Sequence, residues 1–303
     1  SYTGGDTFGI TTSDVTLYAQ WTPVNYSVTY DGNTNTGGSV PVDGNTYNIT
    51  NTVTVLGNTG SLVKTGFDFT GWNTAANGSG TSYAGGDTFA MGSSNVTLYA
   101  QWTENTYSVT YNGNTNTGGA VPVDGTSYHN GDTVTVLPNT GSLVKTGYTF
   151  AGWNTAANGS GTSYNGGDTF SVGTSNVTLY AQWIANNYTV TYNGNTNTGG
   201  SVPIDGNTYH ITNTVTVLGN TGSLVKTGYN FTGWNTAANG SGTDYNGGDT
   251  FAMGSSNVTL YAKWTEITYS VTYDGNDNTG GAVPIDGTTY HNGDTATVLG
   301  NTG

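Results

Sequence analysis

Asn95-Val-Thr-Leu-Tyr-Ala-Gln-Trp102 sets the architecture of this 303-residue chain. Its ending, Tyr-Ala-(Gln/Lys)-Trp, returns at Trp21, Trp102, Trp183 and Trp264, each 81 residues after the last. A second tryptophan series, Trp72, Trp153 and Trp234, keeps the same step, as do Lys64, Lys145 and Lys226. A unit copied without insertion or deletion is a tandem array. The quoted stretch also alternates. Val96, Leu98, Ala100 and Trp102 share one face and Thr97, Tyr99 and Gln101 the other, the period of a half-buried strand. Near-identical copies suit a task in which repetition is useful, such as reach, valency or polymer strength, rather than a single catalytic centre.

Working outward from that strand, Tyr26 to Tyr30, Thr52 to Leu56 and Phe67 to Trp72 alternate in the same way and are expected strands. Turn formers separate them: 31–38, Asp43-Gly44, the Gly/Asn/Ser run 73–80 and Gly85-Gly86-Asp87. Val40-Pro41-Val42 reads as a short edge segment, because proline cannot donate into a central ladder. The segment 60–66, bracketed by glycines and carrying Lys64, is the one place where a helical turn is expected. The fold class is therefore mainly β, as tandem 81-residue units. The expected core of the middle copy is Val109, Tyr111, Val134, Val136, Leu143, Phe150, Trp153, Val177, Leu179 and Trp183.

The step divides the chain into 1–23, the closing part of a repeat, complete repeats at 24–104, 105–185 and 186–266, and 267–303, the opening part of another. Both ends match mid-repeat positions, so the expectation is a window from a longer polypeptide. Each complete unit is long enough to bury its own core. Only four residues join Trp102 to the next first strand at Tyr107, so neighbouring units should touch and the array should be a rod.

Composition narrows the function. There are 18 acidic residues against 4 lysines, no arginine, and a net charge of −14. Phosphate recognition needs clustered basic residues, so nucleic acid is excluded, and anionic membrane surfaces are disfavoured. No apolar run is long enough for a membrane insertion within this segment. The absence of cysteine excludes disulfides and thiolate metal sites and suits life outside a cell.

Lys145-Thr-Gly-Tyr148-Thr-Phe150-Ala-Gly152-Trp153-Asn154, followed by Asn176-Val-Thr-Leu-Tyr180-Ala-Gln-Trp183, resembles the internalin-type B repeat, also called the Listeria–Bacteroides repeat. Both halves appear in order in every complete copy. The resemblance implies a small β-grasp-like unit with a sheet wrapped on a short helix. It also implies a place on secreted or cell-surface proteins, and no catalytic residues. The Thr/Asn/Gly-rich stretches at 33–38 and 47–52, and the low charge, depart from the family pattern.

Candidate sites are few. Asp31-x-Asn33-x-Asn35 has the spacing that opens an oxygen-ligand calcium loop, and Asp274, Asn276, Asp277 and Asn278 form its richest version. No glutamate closes the loop and two copies begin with Asn112 and Asn193, so a tight hairpin is the expected reading, with no metal or other cofactor required. Lys64, Lys145 and Lys226 have the regularity of isopeptide crosslinks, but no local glutamate would shuttle the proton, and a turn role is expected. His129, His210 and His291 share one repeat position, which Asn48 fills in the first copy, so a surface turn is expected there. Trp72-Asn73-Thr74 and the tyrosines are candidates for a carbohydrate platform, against core packing. The expected function is a non-catalytic stalk or filament region of a long extracellular or cell-surface protein. The alternative is a multivalent adhesin for a glycan or a host or cell-surface protein. Neighbouring repeats, and like chains in a fibre, are the other expected partners.

Overall fold

The computed structural model describes residues 1–301 and 303. Three sheet units of about 81 residues follow one another, and no helix occurs among the described residues. The first contains β1 (Val28–Asp31), β2 (Thr52–Thr54), β3 (Phe67–Asn73), β4 (Ser82–Tyr83), β5 (Thr88–Ala90) and β6 (Val96–Glu104). The second repeats these as β7 (Val109–Asn112), β8 (Thr133–Thr135), β9 (Tyr148–Asn154), β10 (Ser163–Tyr164), β11 (Thr169–Ser171) and β12 (Val177–Ala185). The third has β13 (Val190–Asn193), β14 (Thr214–Thr216), β15 (Tyr229–Asn235), β16 (Asp244–Tyr245), β17 (Thr250–Ala252) and β18 (Val258–Glu266). By its contacts the chain falls into two compact units, and their boundary runs through the middle repeat: 1–109 with 124–134 and 169–177, and 110–123 with 135–168 and 178–303.

In the first repeat the sheet order is β1-β6-β3-β4, with β2 and β5 as a separate pair. The quoted strand, β6, lies at the centre. β1 runs parallel to it, Val28 opposite Val96, and β3 runs antiparallel, Trp72 opposite Ala100. The register slips between Phe69 and Gly71, where Gly71 has φ +138°. A Cβ there would lie 2.9 Å from the Tyr83 carbonyl oxygen, so the bulge requires the glycine of the Gly-Trp pair.

The two tryptophan series have different work. Trp72 is fully buried, and its ring meets Tyr30 at 4.7 Å and Phe69 at 5.2 Å, both edge-on. Around it pack Val28, Val53, Val55, Leu62, Met91, Leu98 and Ala100. The half-buried Trp102 donates its indole N–H to the Gly32 carbonyl (3.2 Å), tying the last strand to the turn after the first. Trp183 and Trp264 do the same to Gly113 and Gly194, each at 3.1 Å. Of the expected core of the middle copy, Val109, Tyr111, Val134, Val136, Leu143, Trp153 and Leu179 are buried, while Phe150, Val177 and Trp183 are half-buried.

Two local expectations are corrected. The segment 60–66 is not a helical turn, and the short helix of a β-grasp is absent. The Leu62 N–H donates to the Asn58 side-chain oxygen (2.7 Å), and the Val63 N–H donates to the Gly37 carbonyl (3.0 Å). Ser61 has φ +52°. The donors that a helix would turn onto its own preceding carbonyls are thus taken by a side chain and a neighbouring segment. Val40-Pro41-Val42 is not a strand either. Pro41 is buried and Val42 is 85 % exposed.

Residues 1–25 and 267–303 hold no strand among those described. Asp14 to Trp21 nearly repeats the β6 sequence, yet Trp21 is 89 % exposed where Trp102 is half-buried. The strand needs the equivalents of β1 and β3 on either side of it, and no strand is described in residues 1–13.

Candidate functional site

The turns are held by amide side chains, and these account for most of the candidates. Asn73, directly after Trp72, is fully buried. Its Nδ2 donates to the carbonyls of Gly78 and Gly80 (both 3.2 Å) and to Ser82 Oγ (2.9 Å). Its Oδ1 accepts the N–H of Ala75 (2.8 Å) and of Gly80 (3.0 Å). Asn154 and Asn235 repeat the arrangement. With Trp72 and Asn73 both inside the unit, this pair offers no face to a sugar. The sequence signal that could have found the role is the position of the asparagine, immediately before a Gly/Ser loop of fixed length.

In the calcium-like turn, Asp31 Oδ1 accepts the Asn33 N–H (2.7 Å). Asn33 Nδ2 reaches the carbonyls of Ala76 and Ala100, each at 2.8 Å. This amide therefore braces the turn after β1 against the 73–80 loop and the central strand. In the last copy Asp274 Oδ1 accepts the Asn276 N–H (2.9 Å), and Asn278 Nδ2 donates to the Gly280 carbonyl (2.9 Å). Asn276 and Asp277 have φ of +43° and +63°, the left-handed geometry of a tight turn. No cluster of three or more His, Cys, Asp or Glu suited to a metal occurs among the described residues.

Lys64, Lys145 and Lys226 are half-buried, with their ammonium groups 4.3, 4.5 and 4.2 Å from the rings of Phe67, Tyr148 and Tyr229. Lys145 also donates to Thr115 Oγ1 (2.8 Å). The fourth lysine differs. Lys263 stands where other copies have Gln101 and Gln182, and it pairs with Asp244, which stands where they have Ser82 and Ser163. Hydrogen bonds from Lys263 and Asn235 hold the Asp244 carboxyl below its ordinary range. Lys226 and Lys263 line one open cleft of about 390 Å³ in the third repeat, with Asn195, Tyr229 and Trp264. Tyr229 donates to Glu266 (3.2 Å), whose charge raises the phenol above its usual value.

The buried phenols form a second recurring set. Tyr30 Oη accepts the Leu56 N–H and Tyr192 Oη the Leu218 N–H, each at 2.7 Å. Burial raises both phenols, and the hydrogen bond opposes it only in part. Tyr47, Tyr128 and Tyr209 are raised by burial and by the aspartate each donates to.

The histidines lie beside the linkers. His129 Nε2 is 3.8 Å from Glu104 Oε2, and His291 Nε2 is 3.7 Å from Glu266 Oε2. His210 Nδ1 is 3.0 Å from the Asn186 carbonyl oxygen. Asn48 donates to the Val24 carbonyl (3.0 Å) at the same position of the first copy. The linkers are held in turn by the preceding repeat. Asn105, Asn186 and Ile267 donate their N–H to Gly66, Gly147 and Gly228 at 2.8, 2.9 and 2.8 Å.

Together these features define a class: a tandem array of small all-β units whose polar side chains are engaged in their own turns and in contact with the linkers. Residues 26–101, 107–182 and 188–263 each match the Listeria–Bacteroides repeat domain, and the chain belongs to that family of repeat domains. It is 36 % identical over 256 residues to a protein of Evansella cellulosilytica named as a Gly-rich membrane protein, covering 83 % of this chain and 28 % of that one. A second protein of that organism, named as a membrane protein, is 33 % identical over 265 residues, covering 84 % and 35 %. Internalin H of Listeria monocytogenes is 33 % identical over 154 residues, covering 50 % and 24 %. The chain thus spans about a third or less of each relative's length. No solved structure matches it. No helix among the described residues is long and apolar enough to cross a membrane.

Proposed function

We propose that this chain is a non-catalytic structural region of a long extracellular or cell-surface protein, where its repeats act as a stalk or filament. One observation carries the reading. At each of three successive linkers an N–H is bonded to the glycine turn of the preceding repeat, and a side chain of the following repeat meets the same linker. A linker held from both sides transmits position from one unit to the next, which a spacer needs and a set of tethered modules does not. The names of the relatives, membrane proteins and an internalin, support a surface setting. Small-angle scattering on chains with one, two and three complete repeats tests it. The maximum dimension should rise by a constant increment per repeat, and a dimension that saturates would reject the stalk.

A second reading, the multivalent adhesin, rests on the cleft of the third repeat. It gathers two of the four lysines beside Tyr229 and Trp264. Of the three complete repeats only the third presents this lysine pair, because Gln101 and Gln182 stand at the Lys263 position in the others. Screening the chain against a glycan array tests this, with Lys226→Ala and Lys263→Ala as controls. Binding lost in both variants would favour the adhesin.

A further inference from the structure

The copies are not equivalent: they alternate. The turn before the second strand reads Asn48-Ile49-Thr50-Asn51, His129-Asn130-Gly131-Asp132, His210-Ile211-Thr212-Asn213 and His291-Asn292-Gly293-Asp294. The linker residue two places after the closing tryptophan reads Pro23, Glu104, Ala185 and Glu266. The residue whose carbonyl accepts the third N–H of the turn is Met91, Val172 and Met253. Ser39, Ala120, Ser201 and Ala282 alternate in step, as do Asn45, Thr126, Asn207 and Thr288. At these positions, Asn48 and Pro23 apart, the residue recurs in every second repeat.

The turn and linker residues of this set meet at the junctions. Where the linker carries glutamate, the histidine ring lies between that carboxylate and one of its own turn. His129 is 3.8 Å from Glu104 and 3.4 Å from Asp132, and His291 is 3.7 Å from Glu266 and 3.5 Å from Asp294. Where the linker carries Ala185, the turn has no carboxylate. Asn213 stands in place of the aspartate and accepts the His210 N–H (2.7 Å), and the ring faces the Asn186 carbonyl. The second residue of the turn sits against the glycine of the preceding repeat. A Cβ built on Gly66, Gly147 or Gly228 would lie 2.7, 2.8 or 2.6 Å from the Cβ of Asn130, Ile211 or Asn292. The first copy supplies an internal control. Ile49, with no folded repeat before it in this chain, is 59 % exposed, whereas Ile211 is half-buried.

The backbone of these turns also differs between the two kinds, although Thr34, Thr115 and Thr196 show the same left-handed geometry after the first strand of every complete copy. Thr50 and Thr212 have φ of +73° and +69°, where a β-branched residue is strained and Gly131 sits freely. The Ile-Thr-Asn turn is kept at that expense only where the linker lacks glutamate.

We propose that the array has two complementary junctions, and that linker and turn together form a recognition code by which a repeat accepts a predecessor of the opposite kind. The surface is the pole formed by the 48–51 turn and its equivalents. Its partner is the glycine turn and linker of a repeat of the other type. A glutamate linker takes the His-Asn-Gly-Asp turn through the histidine. A linker without glutamate takes the Ile-Thr-Asn turn through apolar contact. Near-identical neighbours are prone to pair strands out of register by one repeat, and alternating junctions disfavour that slip.

The inference rests on the structural-array reading, and hydrogen exchange on the full chain separates the two. The reporter is the Asn105 N–H, bonded to Gly66 beneath the Asn130 contact. Giving the second repeat the other turn (Asn130→Ile, Gly131→Thr, Asp132→Asn) mismatches the first junction. Exchange at Asn105 should rise about tenfold, as for coupled neighbours, and Asn186 should not change. Adding Glu104→Ala rebuilds a matched junction and should restore protection. Ala185→Glu alone, which alters no turn, should loosen Asn186 in the same way. Unchanged exchange in the mismatched chain, or no recovery with Glu104→Ala, overturns the code and leaves the array standing. Free exchange at Asn105 in the unaltered chain would overturn both.

Discussion

Replacing Trp153 by alanine should unfold the middle repeat and leave its neighbours folded. The indole is fully buried, meets Tyr111 at 4.8 Å and Phe150 at 5.2 Å, and donates to the Leu137 carbonyl at 3.0 Å. Truncating a buried tryptophan costs about 3–5 kcal/mol. The orphaned carbonyl adds about 1 kcal/mol or more if water cannot reach it. A unit of this size holds roughly 4–12 kcal/mol in all, so the loss is comparable with the total at the lower end. Hydrogen exchange read by mass spectrometry on the full chain separates the repeats, because their third strands differ in sequence: Phe67-Asp-Phe, Tyr148-Thr-Phe and Tyr229-Asn-Phe. Peptides from β9 and β12 should lose protection while those from β3 and β15 keep theirs. Simultaneous loss in all three repeats would show a shared core and refute separate units.

Asn154→Ala removes the amide that holds the 154–163 loop through five hydrogen bonds, and should lower the stability of that repeat by about 3 kcal/mol in urea titrations. Gly152→Ala should destabilise by about 1–3 kcal/mol, because φ is +116° and the added Cβ would lie 2.9 Å from the Tyr164 carbonyl oxygen. Gly167→Ala, with φ +95° but open space around it, should cost less in the same titration. Alkali should destabilise the chain. The phenols of Tyr30 and Tyr192 are raised in the folded state, so the unfolded chain ionises first, and the stability they contribute is complete below about pH 10 and lost as pH climbs beyond it. A melting temperature that holds steady from pH 9 to pH 11 would contradict that sign.

Much of the fold is legible because the array writes it three times. The Trp stride and the alternation around Leu98 and Ala100 give the strands, whereas the bulge at Gly71 shows only in the register of β3 on β6. What is not legible comes from contacts that local pattern does not encode. The parallel pairing of β1 with β6 joins Val28 to Val96, far apart in the chain. The 60–66 segment has the glycines and lysine of a helical turn, but the Asn58 side chain takes the Leu62 N–H and holds the chain open. Asn73 reads as a polar partner for ligand and is instead the buried hub of its loop. The histidine position reads as a turn, and the sequence does place it there. That it meets the linker emerges only when β6 and the next turn are brought together.

Pulling single molecules of the full chain end to end tests the central claim, that the load-carrying unit is the 81-residue repeat. Three unfolding events are predicted. One repeat extends to about 270–290 Å, and each event should release that length less the short end-to-end span of the folded unit. One event that releases the whole length, or gradual yielding with no discrete steps, would contradict an array of separately folded structural repeats.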